Sequence, residues 1–165
     1  MPKYYSTKTY GNDRGLSCCF RQWRSTHSHC SLLHGYSIGI RLVFEAETLD
    51  SRNWVMDFGG LKKFKKWAEY MFDHTTLIAE DDPYLNTFTE LAHIGEINPN
   101  NNTALVDLRI VPAVGCEKFA EMAYIKMESI IEEMKQTPGV IVNGTVRVKS
   151  VEVFEHGANS AIYEG

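Results

Sequence analysis

The clearest pattern of apolar and polar positions lies between residues 34 and 44. His34, Tyr36, Ile38, Ile40, Leu42 and Phe44 alternate with Gly35, Ser37, Gly39, Arg41 and Val43. A period of two predicts a β-strand with one buried face. Because His34 and Tyr36 share the parity of the apolar row, we expect both side chains at one end of that face.

Three other segments are typical of strands. Residues 16–23 predict a short strand, and the turn over residues 24–33 should bring it antiparallel to the strand that begins at His34. Residues 104–111 predict another strand. Residues 145–154 predict the last one, and the parity of its valines changes part-way, which predicts a bulge near Lys149 and Ser150.

Two helices are predicted from apolar residues at intervals of three and four. The first covers residues 61–72, and the second covers residues 115–136 and ends at Thr137-Pro138-Gly139. The polar stretch over residues 78–102 predicts an excursion from the core. This order of elements favours an α+β fold in which helices cover one face of an antiparallel sheet.

Composition narrows the class of protein. The chain has 165 residues, of which 44% are hydrophobic and 23% are charged, as expected for one globular domain with its own core. A net charge of -4 argues against a nucleic-acid partner, since phosphate binding requires a cationic face. No apolar run has membrane-spanning length, and the first residues lack the apolar core of a signal peptide, so we expect a cytoplasmic protein.

Several side chains that could take part in catalysis lie in the segment Cys30-Ser-Leu-Leu-His34-Gly-Tyr36. His27 and His29 also lie close to Cys30 in sequence, and a neighbouring imidazolium lowers the pKa of a thiol. We therefore expect Cys30 to act as a nucleophile or base. The remaining thiols, Cys18, Cys19 and Cys116, are expected to be reduced and structural.

A second candidate follows the first predicted helix. Asp73-His74 places a carboxylate directly beside an imidazole. A carboxylate can orient an imidazole and stabilise its charged form, which is the requirement for proton transfer. Cys30, Asp73 and His74 together contain the groups of an acid–base active site.

These segments resemble, in order, the motifs of the 6-pyruvoyltetrahydropterin synthase and 6-carboxytetrahydropterin synthase family. The segment from Cys30 to Tyr36 resembles the family's Cys, three residues and His-Gly-His. Phe72-Asp73-His74 is similar to its Leu-Asp-His, and Gly115-Cys116-Glu117 stands where the family has Pro-Thr-Ser/Thr-Glu. The segments Trp54 to Phe58 and Glu155 to Tyr163 also agree. The resemblance implies a single 6-pyruvoyltetrahydropterin synthase-like domain over residues 1–165.

The resemblance implies both a fold and a reaction. The fold is the tunnelling fold, an antiparallel four-stranded sheet with two helices on one face, which assembles as a trimer or a dimer of trimers with active sites between subunits. The substrate is 7,8-dihydroneopterin triphosphate. The products are 6-pyruvoyltetrahydropterin, or 6-carboxytetrahydropterin on the way to deazapurines such as queuosine, and the sequence does not choose between them.

The resemblance also implies roles for individual residues. Cys30 as thiolate would remove a proton from the substrate side chain, and Asp73 would orient His74 as a proton relay. Glu155 would accept two N–H bonds from the pterin ring, and Glu117 would brace the ring or a subunit interface. Two arginines, Arg21 and Arg24, are candidates to bind the triphosphate.

The family's zinc site is where the chain departs from the pattern. Family members bind zinc through three histidines, and an ungapped register places Phe20 and Tyr36 at two of those positions, so that His34 alone is retained. Three interpretations stay open. His34 could bind zinc together with His27 or His29; Tyr36 with a histidine could polarise the substrate hydroxyl without metal; or the chain could bind a pterin or purine-like ligand without catalysis.

Two other functional classes compete with a pterin lyase. A structural or regulatory binding protein of this fold would keep Glu155 but would not need Cys30. A Cys–His hydrolase could pair Cys30 with His74 as nucleophile and base. The hydrolase leaves Glu155 without a role, and the sequence shows no signal for an oxyanion hole.

Overall fold

The computed structural model describes residues 2–165, which form two four-stranded sheets and three helices. The elements are β1 (Tyr4–Tyr10), β2 (Ser17–Phe20), β3 (His34–Ser37), β4 (Gly39–Ala46), α1 (Lys62–Phe72), β5 (Thr75–Ala79), α2 (Leu85–Ala92), β6 (Leu108–Val111), α3 (Cys116–Gln136), β7 (Arg147–His156) and β8 (Asn159–Glu164). Short 3₁₀ turns cover His29–Ser31 and Phe58–Leu61. Among these helices, none is long and apolar enough to span a membrane.

The first sheet is antiparallel, with the strand order β1-β4-β7-β8. Its inner face is apolar and fully buried: Ile40, Leu42 and Phe44 from β4, and Val148, Val151 and Val153 from β7. Helix α3 packs on β7 and β8, and α1 packs against α3. Full burial of each such side chain contributes about 1.5–3 kcal/mol. The predicted α+β fold, an antiparallel four-stranded sheet with helices on one face, is confirmed.

The predicted bulge in the last long strand is also confirmed. Val43 of β4 pairs with Ser150 of β7, whereas the next residue, Phe44, pairs with Val148, so Lys149 has no partner across this ladder. The extra residue reverses the parity of β7. For that reason Val148 and Val151, which are three residues apart, are both fully buried.

The second sheet has the strand order β3-β2-β5-β6. The predicted antiparallel pair is present, since β2 runs antiparallel to β3, while β5 runs parallel to both β2 and β6. The strand predicted to be continuous from His34 is divided, however. At Ile38, whose N–H donates to the carbonyl of Leu16, the chain passes from the second sheet into the first.

Four elements have no counterpart in the sequence predictions. Strand β5 is buried at all five positions, so it lacks the alternation of a half-exposed strand. Helix α2 lies within the stretch predicted as a polar excursion, and β1 and β8 form the two edges of the first sheet. The strand predicted over residues 104–111 is shorter and begins at Leu108.

Candidate active site

The loop between β2 and β3 holds Cys30 through its backbone. The N–H of Gln22 donates to the carbonyl of Cys30 at 2.9 Å, and the hydroxyl of Ser28 accepts the N–H of Cys30 at 3.1 Å. The adjacent carbonyl of Ser31 accepts a bond of 3.1 Å from Nη1 of Arg21. The half-buried Cys30 side chain therefore sits on a loop whose two ends are tied together.

A buried ion pair fixes this loop to the segment before α2. Nε and Nη2 of Arg21 each donate to one carboxylate oxygen of Asp82 at 2.8 Å, and the Asp82 side chain is 1% exposed. Arg24 pairs with Asp81 at 3.1 Å. The buried pair with Asp82 gives no support to the prediction that Arg21 binds a triphosphate, whereas Arg24 is exposed, makes a single bond to Asp81 and stays a candidate.

Three aromatic side chains converge where β2 faces β3. The register places Phe20 opposite His34, and Tyr36 lies two residues further along. Ring centroids are 5.8 Å apart for Phe20 and His34, 6.0 Å for Phe20 and Tyr36, and 5.3 Å for His34 and Tyr36. Nδ1 of His34 lies 2.6 Å from the carbonyl of Leu32. A carbonyl only accepts, so Nδ1 carries a proton and the lone pair of a neutral His34 is on Nε2.

Glu155 lies near Tyr36 from the other sheet. Burial, and after it the Glu155 carboxylate and the Cys30 thiol, raise the pKa of Tyr36, so its hydroxyl stays protonated and can donate a hydrogen bond. Burial and then the carboxylates of Glu155 and Glu117 raise the pKa of Cys116 to about 12. Cys30, Cys116 and Glu155 thus lie within electrostatic range of Tyr36 in one chain, and we call these four residues the Tyr36 cluster.

Two amide side chains that the sequence predictions missed organise this cluster. Nδ2 of Asn12 lies 2.8 Å from the carbonyl of Ser37 and 3.3 Å from that of Glu155, so it ties the end of β7 to the end of β3. Nε2 of Gln22 donates to the carbonyl of Val114 at 3.1 Å, just before α3 begins. Neither residue belongs to a sequence pattern that would have marked it.

The start of α3 approaches Gln22 closely. Gly115 has φ +116°, and a side chain there would come within 2.5 Å of Nε2 of Gln22. Glycine therefore satisfies both the backbone conformation and the space. Glu117 follows in the first turn of α3, is exposed, and is the second carboxylate beside Cys116.

Asp73 and His74 lie apart from this cluster. His74 has a left-handed backbone, with φ +58°, immediately after α1, and its N–H donates to the carbonyl of Ser17. Its Nδ1 is 2.5 Å from the Asp73 carboxylate, and its side chain is 85% exposed. His74 lines a cleft with Cys18, Cys19 and Gly35, and neither Cys30 nor Tyr36 lines that cleft. Within one chain, His74 and Cys30 therefore do not line the same cleft.

Comparison with known proteins identifies the family of this chain. Residues 12–165 match the family model described as 6-pyruvoyl tetrahydropterin synthase. The chain belongs to this family. The family is one of lyase-type enzymes of pterin biosynthesis, as the resemblance implied.

The curated relatives match a shorter stretch. The 6-carboxy-5,6,7,8-tetrahydropterin synthase of Rickettsia typhi is 35% identical over 54 residues, which are 32% of this chain and 39% of that protein. The same values hold for the enzyme of the same name from Rickettsia conorii. The chain thus spans about two fifths of the length of the curated relatives it matches.

Solved structures show the same fold over the whole chain. An uncharacterised protein of Wolinella succinogenes has a TM-score of 0.76 at 21% identity, with 100% of this chain and 99% of that chain covered. The 6-pyruvoyl tetrahydropterin synthase of Plasmodium vivax has a TM-score of 0.62 at 15% identity, with the same coverage. At these identities the likeness establishes the fold alone.

The donor set of one chain does not fit the zinc ion that the family implies. Phe20 offers no lone pair, which leaves one imidazole and one phenol where the family has three imidazoles. His27 and His29 are exposed on the loop, and in residues 2–165 no group of three His, Cys, Asp or Glu side chains could hold a metal ion. A catalytic zinc site requires three protein ligands. The predicted set of His34 with His27 or His29 finds no support within one chain.

Proposed function

We propose that this protein is a lyase that acts on 7,8-dihydroneopterin triphosphate and forms 6-carboxytetrahydropterin or 6-pyruvoyltetrahydropterin. The observation that carries the proposal is the cluster of Cys30, Tyr36 and Glu155, in which the Tyr36 hydroxyl is influenced by both the thiol and the carboxylate. Asn12 bridges the carbonyls of Ser37 and Glu155, so a candidate ring-binding carboxylate and a candidate base lie near one hydrogen-bond donor.

Glu155 supplies the ring-binding group. A pterin presents an exocyclic amino group and a ring N–H on one edge, and two parallel donors match the two oxygens of a carboxylate. Burial and then the Glu155 carboxylate raise the pKa of Cys116, so this thiol stays protonated. Glu117 braces the ring or a subunit interface from the first turn of α3.

Proton transfer on the substrate side chain is assigned to Cys30, with His34 and Tyr36 beside it. Nε2 of His34 accepts a hydrogen bond from a substrate hydroxyl, and the protonated Tyr36 hydroxyl donates one. These two groups hold and polarise the side chain while Cys30 removes its proton. No step in this scheme uses a metal ion, because the donor set does not fit one.

Asp73 and His74 complete the site from a neighbouring protomer. The Asp73 carboxylate accepts the Nδ1–H of His74, which leaves Nε2 as the reactive nitrogen, and the ring is exposed on the chain's surface. An exposed, oriented imidazole can act on a substrate that another copy holds. The proposal therefore includes a homo-oligomer with active sites between subunits.

A second candidate function is pterin binding without catalysis. The replacement of two of the three family ligand positions by Phe20 and Tyr36 favours it. Incubation with 7,8-dihydroneopterin triphosphate, followed by mass spectrometry of the products, separates the two candidates. We expect release of triphosphate with one of the two tetrahydropterins, whereas an unconverted but tightly bound substrate would establish the second candidate.

Glu155→Gln should weaken binding of neopterin about 30-fold, measured by calorimetry. Loss of the charge from a hydrogen-bonded pair costs about 2 kcal/mol. Glu152→Gln is the matched control, because Glu152 lies in the same strand and accepts a bond from Ser160 outside the cluster. Equal affinities for the wild type and Glu155→Gln would remove Glu155 from the ring site.

A further inference from the structure

A second cavity, on the side of the molecule where Asp73 lies, is lined by four cations. It has a volume of about 480 Å³ and lies between β1, the turn that follows it and α1. The cations are Lys8, Arg14, Lys62 and Lys65, and the carboxylates that line the same cavity are those of Glu69 and Asp73. Buried apolar side chains form the floor: Tyr10, Leu16, Leu61 and Ala68. We call this cavity the cationic groove.

Three of the four cations are free to bind an anion. Lys8, Arg14 and Lys62 take part in no ion pair within residues 2–165, and the ammonium of Lys65 is 3.9 Å from Glu69, a marginal pair. Asp73, the other carboxylate of the groove, is bound to His74. The groove therefore concentrates uncompensated positive charge on a chain whose net charge is -4.

Arg21 and Arg24 differ from the cations of the groove in the partners that their side chains already bind. Both arginines lie near Cys30 in sequence, but all three nitrogens of the Arg21 guanidinium donate to Asp82 or to the carbonyl of Ser31, and Arg24 donates one exposed bond to Asp81. A phosphate that binds Arg21 would have to displace the buried carboxylate of Asp82. In the groove the same phosphate meets three cations, Lys8, Arg14 and Lys62, that make no ion pair within residues 2–165.

We propose that the cationic groove binds the triphosphate group of the substrate, an inference that rests on the proposed function. Asp73 lines the groove and accepts a hydrogen bond from His74, which lines a different cleft, so the groove adjoins the pair assigned to proton relay. The ring of the same substrate is bound by Glu155 of a neighbouring protomer.

The groove also has a role in the elimination step. A base removes the proton from the carbon next to the one that carries the triphosphate, and the C–H electron pair becomes the new carbon–carbon double bond. The C–O bond breaks, and triphosphate leaves with its electron pair. Because negative charge grows on the departing oxygen, fixed cations around it lower the barrier. Both tetrahydropterin products require this loss, so the proposal does not depend on which one forms.

Calorimetry with inorganic tripolyphosphate in metal-free buffer tests the groove without any turnover. We expect Arg14→Gln and Lys62→Gln each to raise the Kd about tenfold, as for a charge-assisted contact, and to reduce the salt dependence of binding. Lys66→Gln is the matched control, because Lys66 lies on the same helix, is exposed, and does not line the groove. Equal Kd values for the two groove variants and the wild type would overturn the proposal.

Two further measurements test whether the triphosphate bound in the groove is that of the pterin substrate. Neopterin, which lacks the phosphates, should bind the groove variants as tightly as the wild type, while the KM for 7,8-dihydroneopterin triphosphate should rise about tenfold. ATP that binds the groove as tightly as the pterin substrate does would overturn the assignment to that substrate. A groove that binds tripolyphosphate in a protein that forms no product would support the groove and refute the proposed lyase.

Discussion

Replacing Cys30 with alanine should lower the turnover of 7,8-dihydroneopterin triphosphate by about a thousandfold and leave the affinity for neopterin unchanged. A positioned base raises the rate by a factor of about 10² to 10⁴. Cys30 is the only side chain to which the proposed function assigns the role of base. Ring binding depends on Glu155, which lies on a different element from the Cys30 loop. Steady-state kinetics measure the first quantity and calorimetry the second.

Leu33→Ala is the matched control for this loss. Leu33 lies in the same loop and is 46% exposed, so its truncation changes the loop without changing its chemistry. We expect that variant to keep kcat within about threefold of the wild type, as is usual for an exposed site. A Cys30→Ala enzyme with normal kcat would remove the thiol from the reaction.

Asp82→Asn should lower the free energy of unfolding by about 3 kcal/mol at pH 7, measured by urea denaturation. Asp82 is fully buried and makes a two-bond pair with Arg21, whose side chain is 15% exposed. Removing one charge of a buried pair leaves the other uncompensated, which costs about 3–5 kcal/mol, and we expect the lower end because Arg21 keeps some contact with water.

The same pair predicts how this difference depends on pH. The hydrogen bonds from Arg21 hold the pKa of Asp82 below its usual range. A carboxyl whose pKa is lower in the folded state stabilises the fold above about pH 4 and loses that contribution as the pH falls through its folded pKa. The difference between wild type and Asp82→Asn should therefore shrink in acid.

Asp81→Asn is the control for the buried pair. Asp81 and Arg24 are both more than half exposed, with side-chain values of 52% and 74%. An exposed pair of this kind contributes about 0–1 kcal/mol. Equal losses for the Asp81 and Asp82 variants would show that burial does not strengthen the Arg21 pair.

The pattern of apolar and polar residues predicted those features of the fold that depend on residues close together in the sequence. The alternation from His34 and the parity change at Lys149 depend on residues that are close in sequence, and both are present. The division of the strand at Ile38 depends on its bond to Leu16, a tertiary contact that no alternation records. Strand β5 was missed because burial of both faces removes the alternation.

In the candidate site, too, features set by neighbouring strands were predicted, whereas contacts between residues distant in sequence were not. The turn between β2 and β3 allowed their antiparallel pairing to be predicted. The family resemblance placed Phe20, His34 and Tyr36 at one site, and the register of the two strands brings these residues together. The pairing of Arg21 with Asp82, a residue 61 positions away, could not be predicted from either segment. As a result, the sequence assigned to Arg21 a phosphate-binding role that its buried partner prevents.

Mixing two inactive variants tests most directly whether neighbouring protomers share the active site. Cys30→Ala lacks the base, and His74→Asn lacks the relay, while asparagine tolerates the left-handed backbone at position 74. The variants are unfolded together in equal amounts, refolded, and assayed with 7,8-dihydroneopterin triphosphate. Random assembly should give about one quarter of the sites an intact Cys30 from one chain and an intact His74 from the next, so we expect about one quarter of wild-type activity. Mixed oligomers seen by native mass spectrometry that are as inactive as either variant alone would contradict a site built from two chains.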